Sequence, residues 1–159
     1  MKLILVAVIV SALALFGGVT ARSSSQRNLV GNIKAKMFKD TSLSDAGCSF
    51  QFAPGNRNSE RYIFFSPAGF ENDALMNIDG RDVSLRLVNE TNPKGRERVG
   101  SRSTRRYAAG NITVNVVYVA TRVCKPNDEN CESTSYSATF IVKKGERTQT
   151  VKAAGSCGS

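Results

Sequence analysis

Arginine dominates one stretch of this chain. From Lys94 to Arg106, six of thirteen residues are cationic and Glu97 is the lone acid. A guanidinium grips phosphate, sulfate or carboxylate through two parallel hydrogen bonds, which a lysine ammonium cannot do. Arg96, Arg98, Arg102, Arg105 and Arg106 are therefore the candidate anion-binding residues. Gly95 and Gly100, with the hydroxyls of Ser101, Ser103 and Thr104, predict a loop or a ragged hairpin edge. The same composition also suits a solvated loop, or an edge strand charged against aggregation.

Catalysis has less to work with. The chain has no histidine, which removes Ser-His-Asp and Cys-His arrangements and imidazole metal ligation. What remains is carboxylate chemistry on Glu71, Asp73, Asp79, Asp82, Asp128, Glu129 and Glu132. Two carboxylates about 5–10 Å apart suffice for glycoside hydrolysis, but most of these residues sit where turns are expected. Asp128-Glu129-Asn130 lacks the alternating oxygen ligands of an EF-hand, and no phosphate-cradling glycine loop is present. The expectation is a chain that is not an enzyme and needs no cofactor and no metal. Tyr62, Tyr107, Tyr118 and Tyr136 could form a sugar-stacking platform, though no tryptophan accompanies them. The plainer reading is buried rings with hydroxyls at the rim.

Cys48, Cys124, Cys131 and Cys157 make an even set. Cys-x6-Cys could ligate zinc, but without histidine and behind an export signal two disulfides are expected instead. Of the three possible pairings, Cys124–Cys131 and Cys48–Cys157 are favoured. The first flanks Lys125-Pro126-Asn127-Asp128-Glu129-Asn130, a turn-rich stretch that brings its own ends together. The second ties the first clear strand to the C-terminal segment. Loop closure assigns them about 2.5 and about 4.8 kcal/mol, respectively.

The elements that must position these residues read as follows. Lys2, apolar Leu3 to Phe16, the Gly17-Gly18 break and Val19-Thr20-Ala21 have the form of a secretory leader, with cleavage expected after Ala21. An uncleaved anchor is the alternative, since Leu3 to Ala21 holds no charge and approaches spanning length. The expected organisation is a signal peptide over 1–21, a flexible or partly ordered lead-in over 22–47, and a single β-domain over 48–159. Within the lead-in, Leu29, Val30, Ile33 and Met37 fit a helical face that Gly31 weakens, leaving a short amphipathic helix, an edge strand or a tether open.

From Cys48 the pattern has period two. Cys48, Phe50 and Phe52 alternate with polar residues. Arg61 to Ser66 is an aromatic strand, and Asn72 to Ile78 runs through Asp79-Gly80 into Val83, Leu85 and Leu87. Asp-Gly between alternating runs predicts a hairpin with a type I′ turn. Asn111 to Arg122, Ser133 to Lys143 and Glu146 to Ala153 alternate likewise, with Lys144-Gly145 as a turn. Phe50, Phe52, Phe64 and Phe65 read as core, each stabilising by roughly 1.5–3 kcal/mol. The predicted fold is all-β, an antiparallel sandwich or small barrel of about seven to eight strands with two disulfides.

The formal net charge is +9, and loss of the leader removes only Lys2. Such an excess draws a protein towards polyanions and says nothing of fold. Ala74-Leu75-Met76-Asn77-Ile78-Asp79-Gly80, Tyr107-Ala108-Ala109-Gly110, the Cys124/Cys131 pair and Gly155-Ser156-Cys157-Gly158 together resemble a family of small exported bacterial β-proteins without assigned function. The resemblance spans most of the chain after Gly47 and implies an exported β-domain, with no active site to transfer. A fainter likeness is to periplasmic lysozyme inhibitors, small β-barrels that present an Asp-Gly hairpin and a Ser-Gly-x-x-Tyr loop. Ser103-Thr104-Arg105-Arg106-Tyr107 lacks that glycine, and the positive charge would repel a cationic lysozyme.

The expectation is thus a secreted or periplasmic domain that binds or scaffolds at the cell envelope. Its suited partners are an acidic envelope polymer, an anionic lipid or an acidic protein, met through residues 94–106. The competing expectations are a structural subunit assembling through exposed β-edges and an inhibitor of a lysozyme-type hydrolase.

Overall fold

A computed structural model describes residues 28–34, 47–54, 62–68, 73–125, 128 and 131–158. The leader, its cleavage point, most of the lead-in, Glu71 and Glu129 lie outside the described residues. Nine strands follow one another: β1 Val30–Gly31, β2 Gly47–Phe52, β3 Tyr62–Pro67, β4 Asp73–Ile78, β5 Arg81–Thr91, β6 Arg102–Ala109, β7 Ile112–Arg122, β8 Ser133–Lys144 and β9 Arg147–Gly158. All pairings are antiparallel. The order β4-β3-β2-β9-β8-β7-β6-β5 returns to β4 through a β4–β5 pairing, which closes an eight-stranded barrel. β1 is an extra strand against the end of β4, with Val30 opposite Ile78 and Gly31 opposite Asn77.

Period two builds the wall. On β7, Ile112, Val114, Val116, Tyr118 and Ala120 are buried, while the residues between them look outward. On β8, Ala138, Phe140 and Val142 do the same. A barrel of eight strands is just wide enough for side chains to fill, and here aromatic rings fill it. Phe50 packs edge-on against Phe64 and Phe140 at 6.1 and 5.7 Å between centroids. Phe64 meets Tyr107 at 5.4 Å, and Phe50 meets Tyr118 at 5.3 Å. Gly155 makes room for this stack: a Cβ there would collide with the Ser49 carbonyl and the Phe50 ring.

The two ends of the barrel differ. One end carries the tight turns β4–β5, β6–β7 and β8–β9. In the first, Asp79 and Gly80 have φ of 51° and 76°, the left-handed pair that a type I′ turn requires. The Asp79 carboxylate takes a 2.7 Å hydrogen bond from Lys144 Nζ and a two-pronged grip from Arg147 at 3.0 and 3.2 Å. This end is also sealed by the 28–34 segment. Leu29 and Val30 are buried in the core, the Gln149 side chain accepts the Val30 N–H, and the Lys34 N–H reaches the Asp82 carboxylate. Of the forms the sequence leaves open for this stretch, Val30–Gly31 is a strand.

The other end carries the 92–101 connection, the 123–132 loop and both disulfides, Cys48–Cys157 and Cys124–Cys131. Cys48 and Cys157 are direct ladder partners of β2 and β9, so that bridge closes one seam of the barrel covalently. One expectation is corrected here. Arg102–Arg106 is neither a loop nor an edge: β6 is hydrogen-bonded to β5 on one side and to β7 on the other.

Candidate functional site

The pleat of β6 divides the arginine segment. Ser103, Arg105 and Tyr107 turn inward, while Arg102, Thr104 and Arg106 are exposed on the outer wall. Arg96 and Arg98 stand apart in the exposed 92–101 connection. The five candidate arginines therefore form no single cluster. Alternation along a strand sends neighbours to opposite faces, and a count of cations along the sequence cannot register that.

On the outer wall, Arg102 and Arg106 belong to a broader surface. β6, β7, β8 and β9 contain Arg102, Arg105, Arg106, Arg122, Lys143, Lys144, Arg147 and Lys152, and not one carboxylate. Register places Arg106 beside Asn115 and Ile141, Lys143 beside Thr113, and Lys152 beside Thr139 and Val117. Arg102, Arg106, Arg122, Lys143 and Lys152 are exposed, and none meets a carboxylate among the described residues. Lys144 and Arg147 are engaged by Asp79 at the turn end.

Arg105 has a different setting. A bulge at Val88 shifts the phase of β5, so that Glu90 comes to lie opposite Arg105. Glu90 Oε2 lies 3.3 Å from Arg105 Nε. Both side chains keep substantial exposure (28% and 42%), so the pair contributes under about 1 kcal/mol. The guanidinium also sits over the Tyr118 ring, 5.9 Å from its centroid, within reach of the ring quadrupole.

The 92–101 connection bends over this end. Ser101 N–H bonds back to the Arg98 carbonyl, and Gly100, with φ of 87°, takes the third position of that turn, where a type II turn needs a left-handed residue. The turn is stapled to β7 by Gly100 N–H to Ala120 O and Ala120 N–H to Ser101 O, at 2.8 and 3.0 Å. Glu97 thereby reaches β8, two strands beyond β6, where the Tyr136 hydroxyl donates to its carboxylate from 2.9 Å. Burial, reinforced by this carboxylate, pushes the Tyr136 phenol up to about 12.

Beneath the connection lies a cavity of about 280 Å³, lined by Asn92, Pro93, Gly95, Glu97, Ser103, Arg105, Tyr118, Tyr136 and the Cys48–Cys157 bridge. Tyr118 and Tyr136 meet edge to face across it, 6.0 Å between centroids. The Tyr118 hydroxyl is buried without a hydrogen-bond partner, as is that of Tyr107. Burial raises the Tyr118 phenol well above its usual value, with Tyr107 and Tyr136 adding to the effect. The Tyr118 and Tyr136 hydroxyls are thus neutral at ordinary pH.

Among the described residues, the nominated carboxylates fall in three places. Asp79 and Asp82 serve the turn end, Asp73 opens β4 opposite Arg86, and Asp128 and Glu132 are exposed near the second disulfide. Among the described residues no three metal-ligating side chains come together. Ser103 to Tyr107 lies within β6, and Asp79-Gly80 is at the opposite end of the barrel from Ser103. Glu90, Glu97 and Ser103 line or flank the cavity without having been singled out. Only the single acid within the arginine run gave a signal for Glu97.

No protein-family model, curated protein or solved structure matches this chain.

Proposed function

We propose that this chain is a non-enzymatic, exported binding domain that holds an acidic polymer on the outer wall of β6–β9. The observation that carries this reading is the four consecutive strands with exposed Arg102, Arg106, Arg122, Lys143 and Lys152 and no carboxylate. A wall bearing charge of one sign sets up a positive potential that draws in and holds a polyanion. Two disulfides support a working place outside the cytosol. The reading keeps Arg102 and Arg106 from the sequence-based set, adds Arg122, Lys143 and Lys152, and moves Arg105 elsewhere.

The test compares two variants on immobilised heparin across a salt series. Arg102→Ser/Arg106→Ser/Lys143→Ser/Lys152→Ser is expected to elute at much lower salt and to flatten the dependence of affinity on salt, because each lost cation releases fewer counterions. Arg96→Ser/Arg98→Ser, altered only in the connection, is expected to lose less. Equal losses in the two variants would sink the wall as the site.

A further inference from the structure

The barrel mouth contains groups that the outer wall does not need. Directly below it the interior is filled by the Phe50, Phe64, Tyr107 and Phe140 rings. At the mouth, filling stops and about 280 Å³ remains. That space opens to solvent and is large enough for one ring-sized ligand.

The side chains around this space specify a chemistry. Tyr118 lines the cavity with its ring, while its hydroxyl is shut off from the space and lies beside that of Tyr107. Arg105 offers hydrogen-bond donors to the space, Glu97 offers acceptors, and Ser103 can do either. A simple anion would meet Glu97 and the nearby Glu90, and a simple cation would meet Arg105. An uncharged ligand rich in hydroxyls suffers neither repulsion. Its hydroxyls can donate to Glu97 and accept from Arg105, while its C–H face lies against the Tyr136 ring and the disulfide.

We propose that the barrel mouth binds a single neutral sugar unit, either free or as the end of a glycan, beneath the 92–101 connection. Glu97 holds that connection in place through Tyr136, and its carboxylate is shared between the phenol and the sugar. This site is independent of the outer wall, and its binding is insensitive to salt where wall binding is not.

The experiment is a titration of the disulfide-intact chain with glucose, galactose, mannose and N-acetylglucosamine, and with a tetramer of each. It is read by backbone amide shifts and by tyrosine fluorescence, which no tryptophan obscures. At least one neutral sugar is expected to give saturable shifts confined to the 92–105 stretch and the neighbourhoods of Tyr118 and Tyr136. Binding by the free monosaccharides locates the specificity in one ring, and binding by tetramers alone assigns the site to a glycan end. Ser103→Ala separates a ligand role from a structural one. Ser103 lines the cavity and is only partly buried, so the variant is expected to melt as the parent does, yet to bind the sugar about tenfold more weakly. No saturable shift with any of the sugars would overturn the proposal. So would unchanged binding by Ser103→Ala, or acetate or phosphate competing at the same amides as effectively as the sugar.

Discussion

Removing the two disulfides one at a time should destabilise the barrel to very different extents. The comparison is between Cys48→Ala/Cys157→Ala and Cys124→Ala/Cys131→Ala, with bridges across sequence separations of 109 and 7 residues. In the loop-closure account the constant terms cancel between them, leaving a difference of about 2.3 kcal/mol. Packing widens the gap: Cys48 is 8% exposed inside the core cluster, whereas Cys124 and Cys131 lie in a surface loop. With total stability of about 5–15 kcal/mol for a domain of this size, losing the long bridge removes a large fraction of it. The assay is equilibrium urea unfolding. With an m-value of about 1.5–2 kcal/mol/M, the two midpoints should lie more than about 1 M apart, the Cys48/Cys157 variant unfolding first. Equal midpoints, or the reverse order, would refute the idea that this bridge acts by restraining the unfolded chain across nearly the whole barrel.

Two further outcomes rest on titratable groups. The Asp79 carboxyl is held below its ordinary value of 3.8, first by the Lys144 hydrogen bond and then, against a small desolvation effect, by Arg147. A depressed acid contributes stability above its unfolded pKa and loses it as pH falls through the folded one, so Asp79→Asn should blunt acid destabilisation below about pH 4. The pair is partly exposed, and at neutral pH the loss should stay under about 1 kcal/mol; identical pH–stability curves for parent and variant would contradict the pairing. Tyr136, raised to about 12 by burial and by Glu97, should titrate at lower pH in Glu97→Gln, which keeps an acceptor but removes the charge. Burial remains, so the value should stay above 10, as followed by alkaline ultraviolet difference spectra. No movement at all would mean that Glu97 does not hold the phenol in solution.

Much of the fold was legible because a strand in a half-buried wall writes its pleat into the sequence. Val114, Val116 and Tyr118 alternate with Thr113, Asn115 and Val117, and the Asp79-Gly80 turn chemistry fixes a hairpin whatever surrounds it. Both expected cysteine pairings are present, though only Cys124–Cys131 rests on local turn chemistry. The mouth was far less legible. Its geometry depends on the bulge at Val88, which turns Glu90 rather than Asn89 towards Arg105, and nothing in the residues around Val88 announces an extra step. Composition showed that residues 94–106 are basic, but only their register shows that Arg105 looks inward and Arg106 outward. Barrel closure likewise depends on β4 pairing with both β3 and β5, a long-range arrangement that short-range alternation does not encode.

That arrangement leaves one weak join. β3 and β4 are in register only at Phe64 with Met76 and Phe65 with Leu75. Beyond that point β1 takes over the free side of β4, with Ile33 N–H bonding to the Tyr62 carbonyl and Asp79 N–H to the Leu29 carbonyl. Residues 28–34 therefore work as a clasp across the thinnest part of the cylinder. Fluctuations that unzip the wall should begin there, so amide protons of β4 are expected to exchange with solvent ahead of those deep in β7 and β8, as hydrogen exchange would read. A chain trimmed to begin at Cys48 would lack the clasp and would present the end of β4 as a naked template for another molecule's strand.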